Sequence, residues 1–177
     1  METRQAQDPE AGVYDDWRWH FEGRFPVGRA PEQAYVHIAA FVDWLAMRGM
    51  IEPGRRRGGS ELSAAVERVR DRSVPMTSLR DATEGRLAES FLTSEGRAFA
   101  TAYYAPEYGY ARDWQRTFGR QADLYEVPDS WETYSRMERV IDRRYRQWIA
   151  AARPEFMPLP GLSGLLARLL DRRRRPR

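Results

Sequence analysis

The chain contains only two imidazoles, His20 and His37, and carboxylates lie close to the first of them in the sequence. Asp15, Asp16 and Glu22 surround His20, whereas His37 follows 17 residues later. Two imidazoles with one or two carboxylates are a sufficient ligand set for a divalent metal ion, and a further glutamate could act as general base. The sequence therefore offers one candidate metal site, in which Asp16, His20 and His37 are ligands and Glu22 is the base.

The spacing of the two histidines does not by itself bring them together. A helical H-E-x-x-H motif places two ligands on one face by construction, whereas these histidines belong to different elements. The competing interpretation is a hydrogen-bonded core histidine at position 37, because Phe41 and Trp44 follow it by one and two helical turns. We favour this structural interpretation and expect no cofactor, with one divalent metal ion as the alternative.

Missing residue types exclude most other enzyme chemistries. All 29 basic residues are Arg, because the sequence contains no Lys, and Cys is absent as well. These absences exclude a Schiff-base lysine, a phosphate-binding P-loop lysine, a thiol nucleophile and an iron–sulfur cluster. The composition therefore favours a binding protein over an enzyme.

Composition and charge indicate one folded domain with a basic tail. With 177 residues, of which 42% are hydrophobic, the chain is long enough to bury a core. The net charge is +3, but the last seven residues alone contribute +4. Contact with nucleic acid or an anionic membrane is therefore expected only through the C-terminal arginines, Arg172, Arg173, Arg174, Arg175 and Arg177, and we do not favour it.

The hydrophobic pattern predicts a mainly α fold, a single compact domain of about six or seven helices with one or two short extended segments. A helix that starts at Pro31 and stops before Gly49 is apolar on all sides and is expected at the centre. Another helix is expected to start at Asp129, with Glu132 completing a capping box. Residues 1–13 are expected to be a disordered arm, residues 14–153 the helical domain, and residues 154–177 a Pro-rich linker, an amphipathic helix and an Arg-rich tail.

The segment around His20 is predicted to be extended. Trp17, Trp19 and Phe21 alternate with polar residues, which is the period of a strand with one buried face. The expected pairing partner is residues 122–127. A helical alternative would instead place Asp16 beside His20.

Two further segments are candidate binding surfaces. Four tyrosines around Pro106 and Gly109 resemble a protein-binding patch in composition; they are Tyr103, Tyr104, Tyr108 and Tyr110. The final helix carries an apolar stripe that must be covered, and docking onto the domain or self-association is favoured over membrane contact. The stripe consists of Leu162, Leu165, Leu166, Leu169 and Leu170.

Most of the chain resembles an uncharacterised family of small bacterial proteins, with the clearest pattern in its N-terminal part. The shared pattern is Y-D-D-x-x-W-H-x-x-G-x-F-P followed by H-I-x-x-F-x-x-W, which here starts at Tyr14 and includes His20, His37 and Trp44. The resemblance covers about residues 14–148. It implies a cytoplasmic bacterial protein of a family without an established activity.

The functional expectation is a non-enzymatic interaction protein of the bacterial cytoplasm, resembling the small immunity proteins that neutralise toxins. No signal segment is visible at the N-terminus, and the longest apolar stretch, residues 38–50, is far shorter than the roughly 20 residues that span a bilayer. The alternatives are a metal-dependent hydrolase that uses Asp16, His20 and His37, and association of the tail with an anionic membrane or nucleic acid.

Overall fold

A computed structural model of the protein describes residues 11–21, 25–52, 59–106, 108–119, 124–155 and 157, and it confirms the mainly α fold. The helices and strands are β1 (Val13–Asp16), α1 (Trp17–Phe21), α2 (Val36–Met47), α3 (Gly59–Arg70), β2 (Arg86–Ala88), α4 (Ser94–Phe99), α5 (Tyr110–Phe118) and α6 (Trp131–Ala150). Short 3-10 turns cover Pro31–Ala34, Met76–Leu79 and Glu89–Phe91, and a π-helical turn covers Ala100–Tyr104. In the described part of the chain, no helix has both the length and the apolarity needed to cross a bilayer.

Helix α2 lies at the centre of the domain, as the sequence predicts. Every residue from Val36 to Ala46 is buried, and the helix packs against α3, α6 and the 3-10 turn Met76–Leu79. Full burial of a large apolar side chain contributes about 1.5–3 kcal/mol, so a helix that is apolar on all sides is stable only when other elements surround it. Gly49, with a φ of 68°, ends the segment in the left-handed conformation.

Aromatic rings fill the space between α2 and the second half of the chain. Phe41 of α2 lies with its ring centroid 6.0 Å from Phe99 of α4 and 5.3 Å from Tyr110 of α5. Trp148 of α6 completes this group 5.3 Å from Phe99. Contacts of this kind fix how the helices sit against one another, because rings at these separations pack in few arrangements.

Helix α6 starts one residue later than the sequence predicts. The Ser130 hydroxyl, and not the Asp129 carboxylate, accepts the hydrogen bond from the backbone N–H of Thr133, at 3.1 Å. Asp129 instead accepts a hydrogen bond from the Thr77 hydroxyl at 2.6 Å. The local sequence predicts that the Asp129 carboxylate caps the helix N-terminus, but this carboxylate binds Thr77 from another part of the chain instead.

The small sheet pairs the N-terminal strand with a different segment from the one predicted. Strand β1 pairs antiparallel with β2, with Asp16 opposite Arg86 and Val13 opposite Ala88, whereas residues 124–127 form turns. The predicted pairing of the N-terminal segment with residues 122–127 was therefore wrong. A register irregularity separates Val13 from Asp15, and such bulges redirect side chains next to functional sites.

The extended segment ends at Asp16, and residues Trp17–Phe21 form the short helix α1, so the extended prediction for these residues was wrong. The Asp16 side chain accepts a hydrogen bond from the backbone N–H of Arg18 at 2.9 Å, which satisfies a free donor at the helix start. Trp19 is 38% exposed, so the alternation of aromatic residues does not reflect one buried face.

Several predictions fall outside the described residues. These are the N-terminal arm up to residue 10, the leucine stripe of Leu162, Leu165, Leu166, Leu169 and Leu170, and the C-terminal arginines. The predicted domain boundaries likewise stay predictions.

Candidate functional site

Asp15 lies between the two imidazoles of the chain. Its Oδ1 is 3.2 Å from Nε2 of His20, and its Oδ2 is 3.3 Å from Nε2 of His37. The three side chains form one group whose possible ligand atoms all lie within 4.8 Å of one another. We call Asp15, His20 and His37 the Asp–His cluster.

Helix α1 brings His20 back over the strand that carries Asp15. The His20 ring centroid is 4.6 Å from that of His37, with the rings nearly perpendicular. The second ring nitrogen, Nδ1, lies 3.1 Å from the hydroxyl of Tyr125. Both nitrogens of His20 therefore have polar partners, and these partners fix the orientation of the ring.

His37 enters the cluster from the first turn of α2. It is 6% exposed, and its backbone carbonyl accepts a 2.7 Å hydrogen bond from the Tyr110 hydroxyl. Among the described residues, Nδ1 of His37 is buried without a hydrogen-bond partner. Because Asp15 is only an acceptor when ionised, a neutral His37 donates from Nε2, and the lone pair of Nδ1 is left free.

Tyr104 closes the cluster from the opposite side. Its hydroxyl donates a hydrogen bond of 2.6 Å to Oδ2 of Asp15. Tyr104 is the last residue of the π-helical turn Ala100–Tyr104, which follows α4 directly. Single π turns are rare and frequently occur at functional sites, because the wider turn changes the direction of a side chain.

The cluster favours an ionised carboxylate next to a neutral imidazole. Burial of Asp15 opposes ionisation, but hydrogen bonds from His20, His37 and Tyr104 outweigh it and hold the pKa of Asp15 well below its usual range. Burial lowers the pKa of His37, although Asp15 acts in the opposite direction. Burial also raises the pKa of Tyr104 well above its usual value, so this phenol stays protonated as a donor.

The structure brings the predicted histidines together with Asp15, the neighbour of the predicted carboxylate Asp16. Asp16 points to the other face of β1, where it accepts hydrogen bonds from Arg18 at 3.1 Å and from Arg86 at 2.7 Å. Successive side chains of a strand point to opposite faces, so only one of two adjacent aspartates can face the histidines. Asp15 takes the position predicted for Asp16, and Glu22, the predicted base, lies outside the described residues.

The four tyrosines do not form an exposed patch. Tyr103, Tyr104 and Tyr110 are 1%, 9% and 2% exposed, and only Tyr108, at 61%, is available to a partner. The three buried rings pack into the aromatic core, where their hydroxyls bind Asp113, Asp15 and the carbonyl of His37. The predicted patch is therefore corrected to core packing. Tyr104, predicted as a binding residue, contacts Asp15 instead, and Tyr125, which contacts His20, was not predicted.

Comparison with known proteins places the cluster inside a recognised domain. The sequence profile of a family described as domain of unknown function (DUF7832) matches residues 13–127. This span contains Asp15, His20 and His37 together with both tyrosines that contact them. No curated protein and no solved structure matches the chain.

Proposed function

We propose that this protein, which belongs to the domain-of-unknown-function family DUF7832, binds one divalent transition-metal ion through Asp15, His20 and His37 and is a metal-dependent hydrolase. The observation that carries the proposal is the position of the Asp15 carboxylate between the two imidazoles, at 3.2 and 3.3 Å.

The cluster brings three possible metal ligands close to the spacing of a tetrahedral site. Ligand atoms at about 2.0–2.1 Å from a zinc ion are about 3.3 Å apart at the edges of a tetrahedron. The contacts from Oδ1 of Asp15 to His20 and from Oδ2 to His37, at 3.2 and 3.3 Å, have this length, and all candidate ligand atoms lie within 4.8 Å of one another. Because these two contacts use different oxygens of Asp15, binding of one ion requires the three side chains to close around it.

The ionised carboxylate and the neutral imidazole also suit a metal ion, and a bond to Nε2 of His37 requires its ring proton to lie on Nδ1. A metal binds a deprotonated carboxylate and a neutral imidazole. Asp15 is ionised because three side chains donate to it or stabilise its charge, and burial favours the neutral form of His37. Two imidazoles and one carboxylate form a ligand set typical of zinc and other first-row divalent ions.

Three protein ligands leave one position of a tetrahedron open. Catalytic zinc sites have this arrangement, and a bound metal there supplies a water of lowered pKa for hydrolysis. The side chains of Asp15 and His20 are 15% and 18% exposed, so the cluster is partly accessible to solvent. Tyr104 and Tyr125 hold Asp15 and His20 in position from outside the ligand set.

Metal analysis of protein purified without chelator tests the binding half of this proposal. We expect about one equivalent of zinc or a related divalent ion, and a fall in Tm when a chelator removes it, because a ligand of the native state stabilises that state. Metal-free protein titrated with Co²⁺ should gain the visible absorption of a four-coordinate cobalt site. Metal binding would be contradicted by less than about 0.1 equivalents of metal, a Tm that the chelator does not change, and no visible absorption with Co²⁺.

Hydrolysis of chromogenic carboxylate and phosphate esters by the metal-loaded protein tests the enzymatic half. We expect turnover that the chelator abolishes and that His20→Gln loses together with the metal. Arg18→Gln is the matched control, because Arg18 neighbours the cluster in sequence but pairs with Asp16. If the protein binds one equivalent of metal but hydrolyses none of the esters, it is a metal-binding protein and the hydrolase proposal is contradicted.

Protein binding without catalysis, such as toxin neutralisation, is a second candidate function. It is favoured by the exposure of two large rings, Trp19 at 38% and Tyr108 at 61%, because exposed aromatic residues are common anchors of protein interfaces. We expect a stoichiometric complex with one bacterial protein that Trp19→Ala or Tyr108→Ala weakens and Asp15→Asn preserves. If neither aromatic substitution changes the affinity of the complex, binding through these rings is contradicted.

A further inference from the structure

An exposed row of arginines follows the outer side of α6. Arg136, Arg139, Arg143 and Arg146 recur at intervals of three and four residues, and all four side chains are exposed. Residues at this spacing share one helix face, and the row extends over about 15 Å at 1.5 Å per residue. Together with Arg116 of α5, they are called the arginine face below.

Helix α5 adds to the same surface. Arg116 is 51% exposed and lies 4.0 Å from Asp113, which Arg144 of α6 binds through two hydrogen bonds of 2.6 and 2.9 Å. At the other end of the helix pair, Arg136 lies 4.4 Å from the ring centroid of Phe118 and donates to the backbone carbonyl of Thr117. Arg136 therefore connects the row on α6 to helix α5, which carries Arg116.

The charges of this face are not balanced locally. Among the described residues, Arg139, Arg143 and Arg146 take part in no ion pair or hydrogen bond. Of the acidic residues of α6, Glu138 pairs with Arg72 and Asp142 with Arg48, whereas exposed Glu132 lies four residues before Arg136, at the N-terminal end of the row. Like charges three and four residues apart destabilise a helix. An anionic partner bound to these arginines would reduce this repulsion.

We propose that the arginine face binds the phosphate backbone of nucleic acid without sequence specificity. Phosphate contacts need only guanidinium donors and positive charge. A protein partner would instead require an apolar centre surrounded by charges. The exposed large apolar side chains of the described chain are Trp19, Val27 and Tyr108, and none of them belongs to α5 or α6.

The proposal is tested by fluorescence anisotropy of a labelled DNA duplex of random sequence, titrated with the full chain at several salt concentrations. The slope of log K against log salt reports the number of phosphates contacted, at about 0.9 for each. Combined substitution of Arg139→Gln, Arg143→Gln and Arg146→Gln should lower the slope by about 2 to 3 and weaken binding equally on unrelated sequences.

Two further variants make the result specific. Substitution of Arg29→Gln, Arg68→Gln and Arg97→Gln removes the same charge from other parts of the surface and should leave the slope nearly unchanged. Replacement of the C-terminal arginines by glutamine separates the contribution of the tail and should leave the effect of the three α6 substitutions intact.

Three outcomes would overturn the proposal. The first is a slope that the α6 substitutions do not change. The second is the loss of all binding in the tail variant. The third is binding of poly-L-glutamate, but not of DNA, through the same arginines, which would assign the face to an acidic protein. Circular dichroism of each variant establishes that α6 is still folded when binding is lost.

Discussion

Tyr104 donates its hydroxyl proton to Asp15 across 2.6 Å, the shortest contact in the Asp–His cluster. This length is typical of a phenol bound to an ionised carboxylate. The π-helical turn that ends at Tyr104 directs the ring to Asp15, whereas the preceding residue, Tyr103, binds Asp113 at 3.1 Å. Two adjacent tyrosines thus support two different carboxylates, and this gives a matched pair of variants.

Tyr104→Phe should weaken metal binding by about 10- to 100-fold, because the residue that orients Asp15 is lost while all three ligands remain. Tyr103→Phe removes an equally buried hydroxyl and should lower stability without changing the metal affinity. Titration calorimetry with Zn²⁺ measures both. Equal affinities for the two variants would contradict the orienting role of Tyr104.

Asp43 should make stability depend on pH. Its side chain is fully buried in α2, both carboxylate oxygens are without a described partner, and burial together with the nearby charge of Asp129 raises its pKa well above the ordinary 3.8. The other ionisable groups coupled to it are Tyr35, Tyr110 and Tyr134. Because the folded state holds this proton more tightly than the unfolded state, the contribution of Asp43 to stability falls as pH rises from about 4 towards the folded pKa.

Asp43→Asn removes this titration and keeps the shape of the side chain. The free energy of unfolding of the variant should therefore decline less with rising pH than that of the parent, and the variant should be the more stable protein on the alkaline side of the window. Urea unfolding at a series of pH values measures the difference. Two parallel curves would contradict a buried, protonated Asp43.

Gly85 should tolerate no side chain. It has a φ of 70°, and a Cβ atom there would lie 2.1 Å from Cδ1 of Trp17. Left-handed backbone strain and overpacking together predict that Gly85→Ala lowers the free energy of unfolding by about 2–4 kcal/mol. Gly28→Ala has the same strain, with a φ of 85°, but nothing within 4 Å of its Cβ. A loss of stability that is no larger at Gly85 than at Gly28 would contradict the close approach of Trp17.

The helical part of the fold could be predicted because its signals are local. Gly49 and the apolar residues before it define the buried helix α2, although Pro31 opens a 3-10 turn and α2 itself starts at Val36. Thr93 caps α4 by accepting from Gly96 at 3.0 Å. The start of α6 at Ser130 was missed by one residue, because Asp129 is recruited by Thr77, a residue distant in sequence.

The site could be predicted only in part, for a physical reason. The scarcity of imidazoles identified His20 and His37, but the choice between Asp15 and Asp16 depends on the register of β1 against β2. A shift of one residue moves every side chain of a strand to the other face. The residue types present in the sequence do not reveal which register the two strands adopt. Tyr104 and Tyr125 lie 89 and 105 residues from their partners, Asp15 and His20, so no local pattern could connect them.

The pair of variants Asp15→Asn and Asp16→Asn tests the central claim most directly, because the two residues are adjacent and chemically identical. Titration of each metal-free protein with Zn²⁺, with circular dichroism to establish folding, is the measurement. We predict that Asp16→Asn binds about one equivalent with the affinity of the parent, although it loses the pairs with Arg18 and Arg86. Asp15→Asn should lose at least about 100-fold in affinity, because it removes a ligand. Parental affinity in a folded Asp15→Asn variant would contradict the Asp–His cluster as a metal site.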